Sequence, residues 1–117
     1  MDKELLKRWR ELLKPLFPPS TYIRIRTDKS VIMAVDWRLK NMTGEPSRFS
    51  RLIKIIIPEG VMQQYQQLNE SKRTHADQKL IDFIRCRLKQ FDPYHDSPPG
   101  SIPPFEEWLI ESHIIIQ

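Results

Sequence analysis

One cysteine in 117 residues excludes an intramolecular disulfide, and no second thiol can complete a zinc knuckle around Cys86. Glycine is almost as scarce, three residues against ten prolines. Turns are therefore stiffened by proline, and few positions take a positive φ easily. Apolar runs such as Ile55-Ile56-Ile57 and Ile114-Ile115-Ile116 fall far short of the ~20 residues that span a bilayer. The first residues, Met1-Asp2-Lys3-Glu4, are charged from the outset and do not resemble a secretory leader. Together with the lone thiol they predict a cytoplasmic setting. Glycine-rich phosphate loops, a G-x-S-x-G elbow, paired cysteine spacings and the aromatic-rich RNP signature are also missing. No cofactor, metal, membrane partner or small-molecule substrate is expected.

What remains is ordinary globular material, 39% hydrophobic and 29% charged, of a length that suits one domain spanning 1–117. Charge is unevenly placed. Residues 1–57 hold thirteen basic and six acidic side chains, a net +7, whereas the rest of the chain nets −3. Such a dipolar layout speaks to partners rather than to chemistry.

Hydrophobic periodicity predicts an amphipathic helix capped by Asp2 and running to about Lys14, with Leu5, Leu6, Trp9, Leu12 and Leu13 on one stripe. Pro15 should stop it. Alternation then predicts a hairpin: a strand from Tyr22 to Arg26, a turn over Thr27 to Ser30, and a second strand from Val31 to Leu39. A third strand is expected from Phe49 to Ile57, with Phe49, Ile53, Ile55 and Ile57 on one face and Leu52, Lys54 and Ile56 on the other. After Pro58-Glu59-Gly60 the period becomes helical, through Val61, Met62, Tyr65 and Leu68. Asn69 to Lys72 reads as an interruption, and Thr74-His75-Ala76-Asp77 resembles a capping box opening the longest helix. That helix should end near Phe91, with a stripe of Ala76, Leu80, Phe83, Ile84, Leu88 and Phe91. A proline-rich loop covers 92–104. Residues 105–117 fit a short helix or strands, and a final strand joining the sheet is the preferred reading. The expected fold class is α+β, a three- to four-stranded, mainly antiparallel sheet with two or three helices packed on one face.

Four constellations bear on function. Tyr22, Arg24 and Arg26 point away from Ile23 and Ile25, and Arg38, Arg51 and Lys54 extend this into a candidate basic face suited to phosphates and stacked bases. The plainer alternative is that outward arginines and lysines keep a sheet soluble and discourage edge pairing. The basic positions of the first helix (Lys3, Lys7, Arg10 and Lys14) fit either a solvated surface, with Glu4 and Glu11 supplying intrahelical pairs, or partner docking. On the proline-rich loop, His95 lies between Asp92 and Asp96, but no second histidine stands at a ligand spacing. Cys86, between Arg85 and Arg87, falls at the polar edge of its helix and reads as an inert thiol. The leading expectation is thus a non-enzymatic module that binds a protein partner or self-associates. Nucleic-acid binding through Tyr22, Arg24, Arg26, Arg38, Arg51 and Lys54 is the alternative, and an enzyme built on His95 ranks last.

Overall fold

Period-two alternation builds the sheet. In the computed structural model, which describes residues 3–39, 49–93 and 105–116, strands run over Tyr22–Thr27 (β1), Val31–Asp36 (β2), Leu52–Ile57 (β3) and Phe105–Leu109 (β4). Their spatial order is β1-β2-β3-β4, antiparallel in the first two pairs and parallel in the last. Four helices accompany them: Lys3–Leu13 (α1), Glu59–Gln66 (α2), Glu70–Gln90 (α3) and Ser112–Ile115 (α4). The fold is α+β, as the sequence predicts. A parallel β3–β4 pair cannot be closed by a tight turn, and α2 and α3 lie along the connection.

Register decides which residues are covered. Val31, Met33 and Val35 stand beside Ile57, Ile55 and Ile53, and Ile55 stands beside Trp108. All of these are buried in one core with Leu5, Trp9 and Leu13 of α1, Met62 and Tyr65 of α2, Leu80 and Ile84 of α3, and Ile115 of α4. Each such aliphatic side chain contributes roughly 1.5–3 kcal/mol by leaving water. α1, α2, α3 and α4 therefore all pack on the same side of the sheet.

Element ends depart from expectation for visible reasons. α1 stops at Leu13 and tightens into a 3-10 turn over Lys14–Leu16, which accepts Pro15 in its first turn where no backbone donor is needed. The long helix starts earlier than the Thr74 capping box implies. Asn69 is its N-cap, accepting from the Lys72 N–H at 2.9 Å, and Thr74 sits inside the helix with its hydroxyl on the Glu70 carbonyl. The preferred final strand is β4, but the isoleucines after it coil into α4 and fold Ile115 back into the core against α3. The Asp2 cap, the loop around Gly44, and Tyr94, His95 and Asp96 lie outside the described residues.

Asp77, read from sequence as part of a cap, is instead a buried carboxylate on the inner stripe of α3. A buried charge is tolerated only when paired and hydrogen-bonded. Arg8 meets Oδ2 through Nε at 2.9 Å and Nη2 at 2.7 Å, while the Tyr65 hydroxyl donates to Oδ1 at 2.5 Å. Arg8 also donates to Glu70 at 2.9 Å. The edge of one of the Trp9 and Tyr65 rings meets the other, centroids 4.9 Å apart. This cluster ties α1 to α2 and α3.

Burial, and secondarily the bond to Asp77, push the Tyr65 phenol well above its ordinary value of 10.0. A raised tyrosine pKa means the folded state resists losing the proton. Its stabilisation is complete below about pH 10 and is lost as pH climbs further. Tyr65→Phe should lower stability by about 1–3 kcal/mol at neutral pH, because Asp77 loses a donor. In urea titrations the gap between the two proteins should narrow above about pH 10; a gap that stays constant would contradict this role.

Candidate functional site: the uncovered sheet face

Because side chains alternate across a strand, β1, β2 and β3 send their even-numbered residues away from the helices, and β4 sends Phe105, Glu107 and Leu109. The register sorts them into rows. One row crosses all four strands as Arg26, Ile32, Ile56 and Leu109, and the next as Arg24, Ala34, Lys54 and Glu107. Tyr22 beside Asp36, and Leu52 beside Phe105, follow. Leu109 is 44% exposed and Tyr22 53%. None of these apolar side chains joins the core, and among the described residues no helix lies on this side.

At the far end the sheet slips by one residue. Val35 pairs with Ile53, yet Arg38 pairs with Phe49, so three steps along one strand meet four along the other. The extra residue is a bulge at Ser50–Arg51, held by Trp37 N–H on the Ser50 hydroxyl at 3.0 Å and Ser50 N–H on the Trp37 carbonyl at 2.7 Å. It corrects the expected facing of Phe49. Rather than sharing a face with Ile53, Phe49 turns out beside Tyr22, ring centroids 6.0 Å apart, with the Arg38 guanidinium 5.7 Å from its ring. Tyr22, Arg24, Asp36 and Phe49 border a shallow groove of about 440 Å³.

The structure thus brings Tyr22, Arg24, Arg26, Arg38 and Lys54 to one face and leaves Arg51 off it. Arg51 has the parity of Ile53 and is 5% exposed. Its Nη1 donates to the Asp92 carbonyl at 3.0 Å and to Glu106 at 3.1 Å, and its guanidinium lies 5.4 Å from the Phe91 ring. It joins the start of β3 to the end of α3 and to β4. Nor do the exposed cations converge. Arg24 reaches Asp36 at 3.4 Å, and Lys54 has Glu107 directly across from it and sits 4.1 Å from the Phe105 ring. Arg26 and Arg38 stand about six residues apart along the strand direction, roughly 20 Å. The face is apolar and mixed in charge rather than a basic patch.

Other candidates contribute little. Cys86 is exposed, and His113 meets Glu111 at 3.2 Å on the surface. Among the described residues no group of His, Cys, Asp or Glu could hold a metal ion, and no helix is long and apolar enough to cross a membrane. A wide groove between α3 and α4, bordered by Gln78 and Ile115, has Lys72, His75 and Lys79 on its rim and no carboxylate among its lining residues. No known protein family, curated protein or solved structure matches this chain.

The two kinds of arginine separate in experiment. Arg51→Met should lower stability by about 1–2 kcal/mol, since it removes the hydrogen bond to the Asp92 carbonyl and a part-buried ion pair with Glu106. Arg24→Met should change it by less than about 0.5 kcal/mol, its pair being solvent-screened. Equal losses in chemical denaturation would refute this placement of Arg51.

Proposed function

We propose that the protein is a non-enzymatic interaction module whose uncovered sheet face receives an amphipathic helix of another protein. One observation carries this reading: Ile32, Ile56 and Leu109 form an unbroken apolar row across β2, β3 and β4, on the side where none of the described helices lies. Adjacent strands lie about 4.8 Å apart, so the row is about 10 Å long. Two turns of helix rise about 11 Å, which matches anchors at i, i+3, i+4 and i+7 laid along it.

Charge selects the partner. Arg24 and Arg26 flank the β1 end of the row, so the incoming helix carries carboxylates on that flank. A second copy of this chain fits in fewer arrangements, because a two-fold axis across the strands would set β1 and its arginines over their own kind, and only an axis along the strands lays them over β4. Nucleic acid fits worse. Two of the face's cations already have carboxylates beside them, whereas phosphate binding needs several cations free to displace counterions. The exposed Cys86 suits a reducing, cytoplasmic setting.

The test uses a synthetic helix of about 18 residues, built from Leu, Ala and Glu with leucines at i, i+3, i+4 and i+7. It should bind the wild-type protein, and Ile56→Lys with Leu109→Lys should weaken binding at least about tenfold. A Lys-for-Glu version of the peptide should bind more weakly than the original. Overturning results are equal binding by the doubly substituted protein, or tighter binding of a fluorescent oligonucleotide whose affinity collapses with salt.

A further inference from the structure

The outer edge of β1 presents a second surface, which borders the sheet face and shares Arg24 and Arg26 with it. In an antiparallel strand, successive residues direct their peptide groups to alternate sides. Two contacts show which residues of β1 point outward. The Asp28 N–H donates to the Ser30 carbonyl at 3.1 Å, continuing the even-numbered rungs of the β1–β2 ladder. Arg10 Nη2 of α1 donates to the Ile23 carbonyl at 3.0 Å from the opposite side. Ile23, Ile25 and Thr27 therefore aim their N–H and C=O groups away from β2. β1 is the terminal strand of the sheet, and among the described residues the Arg10 contact is the one hydrogen bond to that edge.

Beside the edge runs a groove between α1 and β1, about 290 Å³, bordered by Leu6 and Ile25 with Lys3, Lys7, Arg10 and Thr27 around them. Its apolar floor lies on the helix side of the sheet. On the other side of the same edge stand exposed Arg24 and Arg26. A strand added here would place alternate side chains over Leu6 and Ile25, and the intervening ones beside the two arginines.

We infer that β1 accepts an extended peptide as a fifth strand, one that alternates apolar and acidic residues. Apolar side chains enter the groove under the Lys3, Lys7 and Arg10 rim, and carboxylates meet Arg24 and Arg26. Backbone pairing supplies affinity and the two side-chain rows supply selectivity. Arg10 guards the Ile23 carbonyl of the free edge and gives that acceptor up to a peptide N–H when the strand arrives. A second copy of β1 is excluded as the occupant by register. Outward residues pair only with outward residues, so each antiparallel register that joins at least two of Ile23, Ile25 and Thr27 to their like opposes an arginine to an arginine.

The probe is an N-acetylated, C-amidated hexapeptide, Glu-Val-Glu-Val-Glu-Val, titrated into the isotopically labelled full chain. Amide signals of Ile23, Ile25 and Thr27 should shift and become slow to exchange with solvent. A peptide N-methylated at alternate residues, which loses the donors facing β1, should bind at least about tenfold more weakly. Arg24→Glu with Arg26→Glu should weaken the acidic peptide similarly and favour its Lys-Val counterpart. Both arginines are exposed, so the variant should stay folded. The inference is overturned if the N-methylated peptide binds equally well, if no shift occurs at about 1 mM peptide, or if charge reversal leaves the preference unchanged. Shifts confined to Ile32, Ile56 and Leu109 would overturn it too, while leaving the sheet-face reading standing.

Discussion

A four-stranded sheet has two faces, and the helices among the described residues cover one. Everything about the surface follows from that asymmetry. Since the side-chain period of a strand is two, the register that seals Met33, Val35, Ile53, Ile55 and Trp108 under α1, α2 and α3 necessarily turns Ile32, Ile56 and Leu109 to the other side. A strand surrounded on both sides reads as continuous isoleucine, and Ile53-Lys54-Ile55-Ile56-Ile57 nearly does. The lysine and the flanking arginines keep the uncovered side wet enough to avoid indiscriminate association. The apolar residues among them are what a partner would bury.

Polar contacts hold the covering layer in place at two points. Asp77 is surrounded by Arg8 and Tyr65 at one end, and Arg51 is held by Glu106 and the Asp92 carbonyl at the other. Buried ion pairs add little net stability against well-packed apolar residues, but they penalise misplacement, because a misplaced charge is left desolvated and alone. Asp77 specifies where α1 lies over the helical layer. That position sets the wall of the groove beside β1, so a structural cluster governs the shape of a surface some distance away.

Much of the architecture was legible in the chain. Alternation located β1, β2 and the core of β3, and the period change after Pro58 located α2. The errors share a cause: local patterns compete with tertiary contacts. Thr74-His75-Ala76-Asp77 looks like a cap, yet Asn69 three residues before Lys72 serves better, and Asp77 has the spacing of Leu80 and Ile84 on a buried stripe. A charge on such a stripe was itself a signal that an arginine elsewhere would come to meet it. Arg51 was similarly legible, having the parity of Ile53, Ile55 and Ile57. Phe49 was not, because a one-residue bulge reverses facing and leaves no mark in periodicity. The isoleucines after β4 favour strand by propensity, and burial of Ile115 against α3 overrode it. As for the site, the sequence indicated which residues face outward from β1. It also marked Asp36 as a residue that would dilute the cationic face, but it could not show that Glu107 would lie across from Lys54, because that pairing comes from the parallel docking of β4.

The central claim is that Ile32, Ile56 and Leu109 face solvent in the isolated protein. Methyl signals recorded with a soluble paramagnetic agent test this most directly. Strong broadening of those three residues, with Val35, Ile53 and Ile55 spared, is the predicted pattern. Equal protection of both sets would mean that the sheet is covered on both sides, and the docking surface described here would not exist.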